Sequence, residues 1–146
     1  MSTLTLADLD ASNWERVADL RLHPHQIDFV APNLRTIAET QFYPWVRRRV
    51  IQLGGEIIGF AAYGQPAPSE DFWLHRFMID VEHQGQGYGR AALMMLVDEW
   101  RLMPGVTQIK VSYHPDNTAA EHLYTSLDFV PGEIADWGER VAVISF

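Results

Sequence analysis

The stretch Asp80-Val81-Glu82-His83-Gln84-Gly85-Gln86-Gly87-Tyr88-Gly89-Arg90 is where an apolar strand breaks into glycines and restarts as a helix. Before it, Trp73-Leu74-His75-Arg76-Phe77-Met78-Ile79-Asp80-Val81 reads as a strand. After it, Leu93, Leu96, Val97 and Trp100 fall at i, i+3, i+4 and i+7, one face of a helix that Pro104-Gly105 stops. The glycines alternate with Gln86 and Tyr88, which lets the backbone turn sharply and leaves its N–H groups unhindered. At the first turn of a helix those donors lack intrahelical acceptors, and the macrodipole adds partial positive charge. Strand, glycine turn and helix in this order predict a cradle for a phosphate. Arg90 adds a fixed charge and a forked donor. For the glycines taken alone, a tight turn without a ligand is the other reading.

Composition bounds what such a cradle serves. The 146 residues predict one domain, 1–146, and 47% hydrophobic with 21% charged residues is ordinary for a soluble globular chain. Cysteine is absent, which excludes disulfides and thiolate metal sites and agrees with a cytoplasmic setting. The N-terminus carries no basic-apolar-small signal pattern, and no apolar run approaches the roughly 20 residues of a membrane span, so no membrane association is expected. Nineteen acidic against eleven basic residues give a net charge of −8. That disfavours non-specific nucleic-acid binding and suits small cationic partners, although solubility alone also favours a charge away from zero.

Outward from the glycine turn, the pattern is mixed α/β rather than regularly alternating. Leu4 to Leu6 read as a first strand, and Ser12 with Glu15 as a capping box for a short helix ending by Pro24. His23 to Asn33 is too rich in proline for a regular element, and its histidines His23 and His25 lack a clear third metal ligand. Pro32 and Asn33 signal a helix through Ile37 to Phe42. Val46 to Leu53 and Glu56 to Tyr63 flank Gly54-Gly55 as a β-hairpin; period-two geometry splits Arg47-Arg48-Arg49 between faces, with a solvated strand face as their expected role and a phosphate clamp as the alternative. Gly64 to Glu70 is a loop placed to lie at a pocket mouth. Val106 to Tyr113 is a further strand; Thr118 with Glu121 reads as a capping box; Ala120, Leu123, Tyr124 and Leu127 turn one helix face inward. Phe129 to Ile134 and Arg140 to Phe146 close the chain as strands around Asp136-Trp137-Gly138.

The segment Gln84-x-x-Gly87-x-Gly89 matches the pattern that marks acetyl-CoA-dependent acyltransferases of the GNAT superfamily. About thirty residues on, Asn117-x-x-Ala120-x-x-Leu123-Tyr124-x-x-Leu127-Asp128-Phe129 resembles the second signature of that family. Trp73-Leu74-x-Arg76-Phe77-Met78-Ile79-Asp80 and Gln26-x-x-Phe29-Val30-Ala31-x-Asn33 resemble its bacterial spermine/spermidine (diamine) N-acetyltransferase branch. One departure is Asp128, where relatives usually carry glycine; Asp tolerates the left-handed conformation better than most residues. Another is His75, a position where relatives vary.

The resemblance implies the GNAT fold, a central mixed sheet flanked by helices, in which the strand before the glycine turn splays from the next. It implies acetyl-CoA as co-substrate and no metal. Backbone groups of Met78, Ile79 and Val81 would then receive the pantetheine arm, and Gln84, Gly85, Gln86, Gly87, Tyr88, Gly89 and Arg90 the pyrophosphate. Asn117 would touch the cofactor, with a plain helix cap as its alternative. Tyr124 resembles the general acid for the departing thiolate, with core packing as its alternative. For the base, His75 titrates near neutrality, and Glu82 or Glu139 acting through water are rivals.

The expected acceptor is a primary amine, foremost a polyamine or diamine. Such a substrate needs spaced carboxylates and aromatic faces, for which Asp28, Glu39, Glu70 and Asp71 with Phe29, Tyr43 and Trp73 supply the residue types. A peptide or protein N-terminus is the rival acceptor, and a non-catalytic acetyl-CoA sensor the rival class. Gly87-x-Gly89-x-x-Ala92 also fits a relaxed dinucleotide fingerprint, but Pro104-Gly105 stands where a ribose-binding acid should follow. A homodimer is open to the chain, with the C-terminal strand as a candidate edge.

Overall fold

The computed structural model describes residues 3–146. In chain order it contains β1 (Leu4–Asp8), α1 (Trp14–Ala18), a 3-10 turn (Pro24–Phe29), α2 (Asn33–Thr40), β2 (Val46–Leu53) and β3 (Glu56–Gly64). There follow β4 (Trp73–Ile79), a 3-10 turn (Val81–His83), α3 (Tyr88–Arg101), β5 (Gln108–Tyr113), α4 (Thr118–Thr125), β6 (Val130–Ile134) and β7 (Arg140–Ser145). The strands form one seven-stranded sheet in the order β1-β2-β3-β4-β5-β7-β6, as the mixed α/β reading expects. All neighbours are antiparallel except β4 and β5.

Each face of the sheet is covered by helices because each helix has one apolar stripe. Leu93, Leu96, Val97 and Trp100 of α3 pack with Leu74, Tyr63, Ile109, Val111 and Tyr124. Burying each such side chain contributes roughly 1.5–3 kcal/mol. On the other face Val17 of α1 and Ile37 of α2 meet Val50, Phe60, Ala62 and Met78. The β2–β3 hairpin closes at Gly54 (φ 57°) and Gly55 (φ 88°), the two left-handed residues that a two-residue hairpin turn requires.

Several local expectations are corrected. Ser12 does not cap α1: its N–H and Oγ both donate to Asp10 Oδ1, at 2.8 and 2.6 Å, so it sits in the preceding turn. The proline-rich segment is a regular 3-10 turn, fixed where His23 N–H donates to Gln26 Oε1 at 3.1 Å and Gln26 N–H to His23 O at 2.9 Å. Helix α2 stops at Thr40, before Phe42, and Thr40 Oγ1 donates back to Thr36 O at 2.8 Å. The cap of α4 is Asn117, whose Oδ1 accepts from Ala120 N–H at 3.2 Å; Glu121 instead accepts from Tyr113 Oη at 3.1 Å.

Within the arginine run, Arg49 departs from the solvated role expected. Arg47 is exposed, but Arg49 is only 5% exposed and donates to Glu99 Oε2 at 2.6 Å and Tyr63 Oη at 3.0 Å. Alternation puts Arg47 and Arg49 on one face, where both reach Asp8 Oδ1, at 3.4 and 3.3 Å, and Arg49 differs because it also meets Glu99 of α3. Nor is the C-terminal strand an edge. β7 is inserted between β5 and β6, which leaves β6, exposed along its length and interrupted by Pro131, at the border.

Candidate active site

The site arises from a failure of pairing. β4 and β5 match only at Trp73↔Lys110 and Leu74↔Val111, after which β4 continues to Ile79 beside a gap. The bend coincides with a bulge: Leu74 faces Tyr63 and Arg76 faces Ala62, so His75 is an extra residue with no cross-strand partner. A bulge re-aims the side chains around it. It also interrupts the strand alternation, so that Leu74 and Phe77 serve the same core.

Two cavities follow the gap. The smaller, about 220 Å³, runs between Met78–Ile79 of β4 and Ala119, Ala120 and Leu123 of α4, and ends at Gln84, Gly85 and Gly89. The larger, about 430 Å³, is walled by Phe29, Tyr43, Trp45, His75, Arg76 and Glu139 among others. They meet at Val30, Phe77, Asn117, Ala120 and Tyr124.

Along the smaller cavity the glycine turn offers donors. Gly85 (φ 75°) and Gly87 (φ 86°) are left-handed, and Gly87 is the N-cap of α3. Among the described residues no protein acceptor is paired with the N–H of Gly85, Gln86, Gly87, Tyr88, Gly89 or Arg90; Ala91 is the first to donate, to Gly87 O at 3.1 Å. Gln84 holds this loop in place, its Nε2 donating to Ile79 O at 2.8 Å and to Gln26 Oε1 at 3.1 Å. Gln86 Nε2 reaches Glu82 O at 3.3 Å. Arg90 lies on the surface and donates to Ser126 Oγ and Ser126 O, both at 3.3 Å. Val81 is turned away from the groove, with its N–H given to Arg21 O at 2.7 Å.

Tyr124 sits where the cavities join, 6% exposed, its ring stacked on Tyr113 at 5.8 Å and edge-on to Phe129 at 5.4 Å. Among the described residues its hydroxyl makes no hydrogen bond, although it is not sealed from the cavities it lines. Burial raises its pKa; the nearby Arg76 cation opposes that shift and Tyr113 adds to it. Tyr113 shares the larger cavity, but its hydroxyl is spent on Glu121, and burial with that bond pushes it up to about 12.

His75 opens onto the larger cavity with its ring 5.8 Å from that of Trp45, and partial withdrawal from water holds its pKa below the ordinary 6.5. Of the rival bases, Glu139 lines the same cavity, its Oε1 accepting from Ser112 Oγ at 2.9 Å and Trp137 Nε1 at 3.2 Å. Glu82 instead borders a separate depression with Arg21 and Glu56.

Of the residues named for an amine, Glu39, Phe29 and Tyr43 line the larger cavity. Asp28, Glu70 and Trp73 do not, and Asp71 is paired with Lys110 Nζ at 2.9 Å. The Gly64–Glu70 loop contributes nothing to either wall. His23 and His25 stack at 5.3 Å, and no cluster of three or more potential metal ligands occurs among the described residues. Two contributors escaped a role from sequence: Arg76, a charge inside an apolar strand, and Asn33, whose side chain crosses to it. A charged residue within a core strand was the available signal for the first.

A splayed parallel pair, a glycine-opened helix and a buried tyrosine between two cavities define a class. The chain belongs to the acetyltransferase (GNAT) family, whose model matches residues 10–129, and it is an acetyl-CoA-dependent N-acetyltransferase. It is 28% identical over 138 residues to the spermine/spermidine N(1)-acetyltransferase of Bacillus subtilis (strain 168), covering 90% of this chain and 91% of that one. In fold it resembles the spermidine N-acetyltransferase from Vibrio cholerae crystallised with CoA and spermine, at a TM-score of 0.75, 18% identity and coverage of 97% and 95%. It equally resembles the Salmonella typhimurium enzyme that modifies the N-terminal serine of ribosomal protein L7/L12, at 0.78, 16% identity and coverage of 99% and 95%. The fold is thus common to enzymes with different acceptors. No helix among the described residues is long and apolar enough to cross a membrane.

Proposed function

We propose that this protein acetylates a primary amine of a diamine or polyamine by direct attack within a ternary complex. The observation that carries this reading is the free Tyr124 hydroxyl at the junction of the two cavities. One cavity ends at unpaired backbone donors; the other carries His75, Glu39 and Glu139. The unpaired N–H groups of Gly85 to Arg90 fit a pyrophosphate. Gln84 shapes that loop, and Asn117 caps α4 beside it. Met78 and Ile79 line the groove that would take the pantetheine, the Ile79 carbonyl being already engaged by Gln84 Nε2; Val81, whose N–H is already used, is left out of this set.

When bound, acetyl-CoA supplies the thioester carbon that the amine attacks and the C–S bond that breaks. His75, whose pKa is held below the ordinary histidine value by partial desolvation, takes a proton from the entering ammonium. Tyr124 gives its proton to the departing sulfur and regains one from the acylated nitrogen. The proton on His75 returns to solvent, so one amide, one thiol and one proton result. Glu39 and Glu139 line the larger cavity together with Phe29, Tyr43 and Trp45, residue types that suit two ammonium groups joined by an alkyl linker.

Thiol release from acetyl-CoA with putrescine, spermidine, spermine and a short peptide tests the reading. Release is expected with the polyamines and not with the peptide. The opposite preference would overturn the acceptor, and tight acetyl-CoA binding without release from any amine would overturn the enzyme.

A further inference from the structure

Arg76 is the one charged side chain in the middle of β4, and it is only 6% exposed. A guanidinium so buried is normally matched by a carboxylate. Here no carboxylate lies within ion-pair distance among the described residues, and its Nε is buried without any partner. Its contact to protein is with a neutral amide, Nη2 donating to Asn33 Oδ1 at 3.4 Å. Asn33, itself 3% exposed, is anchored in turn by Nδ2 donating to Val17 O at 2.9 Å. Arg76 and Tyr124 share the wall of the larger cavity. A cation without a carboxylate partner and a hydroxyl without a protein partner therefore line one cavity.

From this geometry we propose that Arg76, aimed by Asn33, is a positioning residue that stabilises Tyr124 in the anionic form left after its proton has gone to sulfur. The inference rests on Tyr124 acting as the acid. In that step the Oη–H bond breaks, the proton goes to the departing sulfur, and the electron pair remains on Oη. A phenolate formed in a water-poor pocket needs a nearby positive charge, because burial otherwise holds the proton on oxygen. The mutual influence of the two groups agrees: burial brings Arg76 down to about 10 and raises Tyr124, and each group's charge counters the shift of the other. At that value the guanidinium stays charged through the physiological range. The other titratable groups around the pair are Glu39, Tyr43, His75, Tyr113 and Glu139 in the larger cavity, with Arg21 in the cavity on the far side of Arg76.

The inference also gives work to both stretches that resemble the diamine branch. The segment that ends at Asn33 holds the arginine supplied by the segment that begins at Trp73, through the Asn33–Arg76 contact.

The test has a kinetic arm and a spectroscopic arm. Turnover and acetyl-CoA affinity are measured for Tyr124→Phe, Arg76→Gln and the double variant. Arg76→Gln is expected to lower kcat about tenfold or more with acetyl-CoA affinity unchanged, and to add no further loss on top of Tyr124→Phe. Independent, multiplied losses, or a loss in amine KM alone, would overturn the proposal and mark Arg76 as a contact for an acidic group on the acceptor. Unchanged turnover in Tyr124→Phe would instead sink the acid reading itself. Arg76→Lys keeps the charge, so it should recover activity near neutrality and lose it as pH rises through the lowered pKa of a buried lysine. An alkaline profile matching that of the native enzyme would count against the proposal. Independently of turnover, 3,5-difluorotyrosine placed at position 124 is titrated by ultraviolet absorbance. Arg76→Gln should reduce its acid ionisation constant about tenfold or more, and an unchanged constant would overturn the proposal even if Arg76→Gln is slow.

Discussion

Replacing Tyr124 by Phe separates its two possible duties, because the structure assigns them different consequences. The ring is what packs, against Tyr113 at 5.8 Å and Phe129 at 5.4 Å, and phenylalanine keeps both contacts. The hydroxyl makes no bond to the described protein, so its removal strands no partner and should change stability by less than about 1 kcal/mol. Turnover is another matter. A positioned acid contributes about 10²- to 10⁴-fold, which corresponds to roughly 3–5 kcal/mol of barrier. Acetyl-CoA affinity should hold, since the pyrophosphate donors lie at Gly85 to Arg90 on a different element. The assay is thiol release under saturating acetyl-CoA, beside a thermal melt and an equilibrium titration of acetyl-CoA. A variant as active as the native enzyme would return Tyr124 to the core. A variant with a much lower melting temperature would show that the hydroxyl has a structural partner.

The lowered pKa of His75 sets a pH dependence. A base acts when unprotonated, so activity should fall only as pH drops below the ordinary histidine range, and His75→Gln should remove that acid limb from the kcat/KM profile; a limb that persists would point to Glu139. At Gly87 a Cβ would meet nothing within 4 Å, so Gly87→Val acts through φ 86° alone. Left-handed backbone costs a β-branched residue about 1–2 kcal/mol or rotates the donors away, and acetyl-CoA binding by calorimetry should weaken tenfold or more; unchanged binding would move the cradle elsewhere. Asp128 stands at φ 71°, where Asp128→Ala should cost about 1 kcal/mol and Asp128→Gly should be neutral or stabilising in a denaturant titration.

What was legible in the sequence was whatever depends on local periodicity. The β2–β3 hairpin and the apolar face of α3 each follow from a few neighbouring residues, whereas the left-handed place of Asp128 came from the resemblance to a family that usually carries glycine there. What was illegible depends on partners distant in the chain. The bulge at His75 is set by which residue of β3 faces which residue of β4, and one extra residue reverses strand parity. Arg49 is buried because Glu99, fifty residues on, meets it. Ser12 and Thr118 looked like caps, yet Asn13 and Asn117 immediately beside them occupy the cap positions, a one-residue difference that pattern does not resolve. For the site, the glycine turn and Tyr124 were marked by motif, whereas Asp28, Glu70 and Asp71 share a residue type with Glu39 but not its place on the wall.

The most direct test of the account is a crystal structure with acetyl-CoA bound. It should place the pyrophosphate on the N–H groups between Gly85 and Arg90, the pantetheine in the gap beside Met78 and Ile79, and the sulfur within hydrogen-bonding reach of Tyr124 Oη. A pyrophosphate seated away from the glycine turn, or a sulfur directed away from Tyr124, would contradict it.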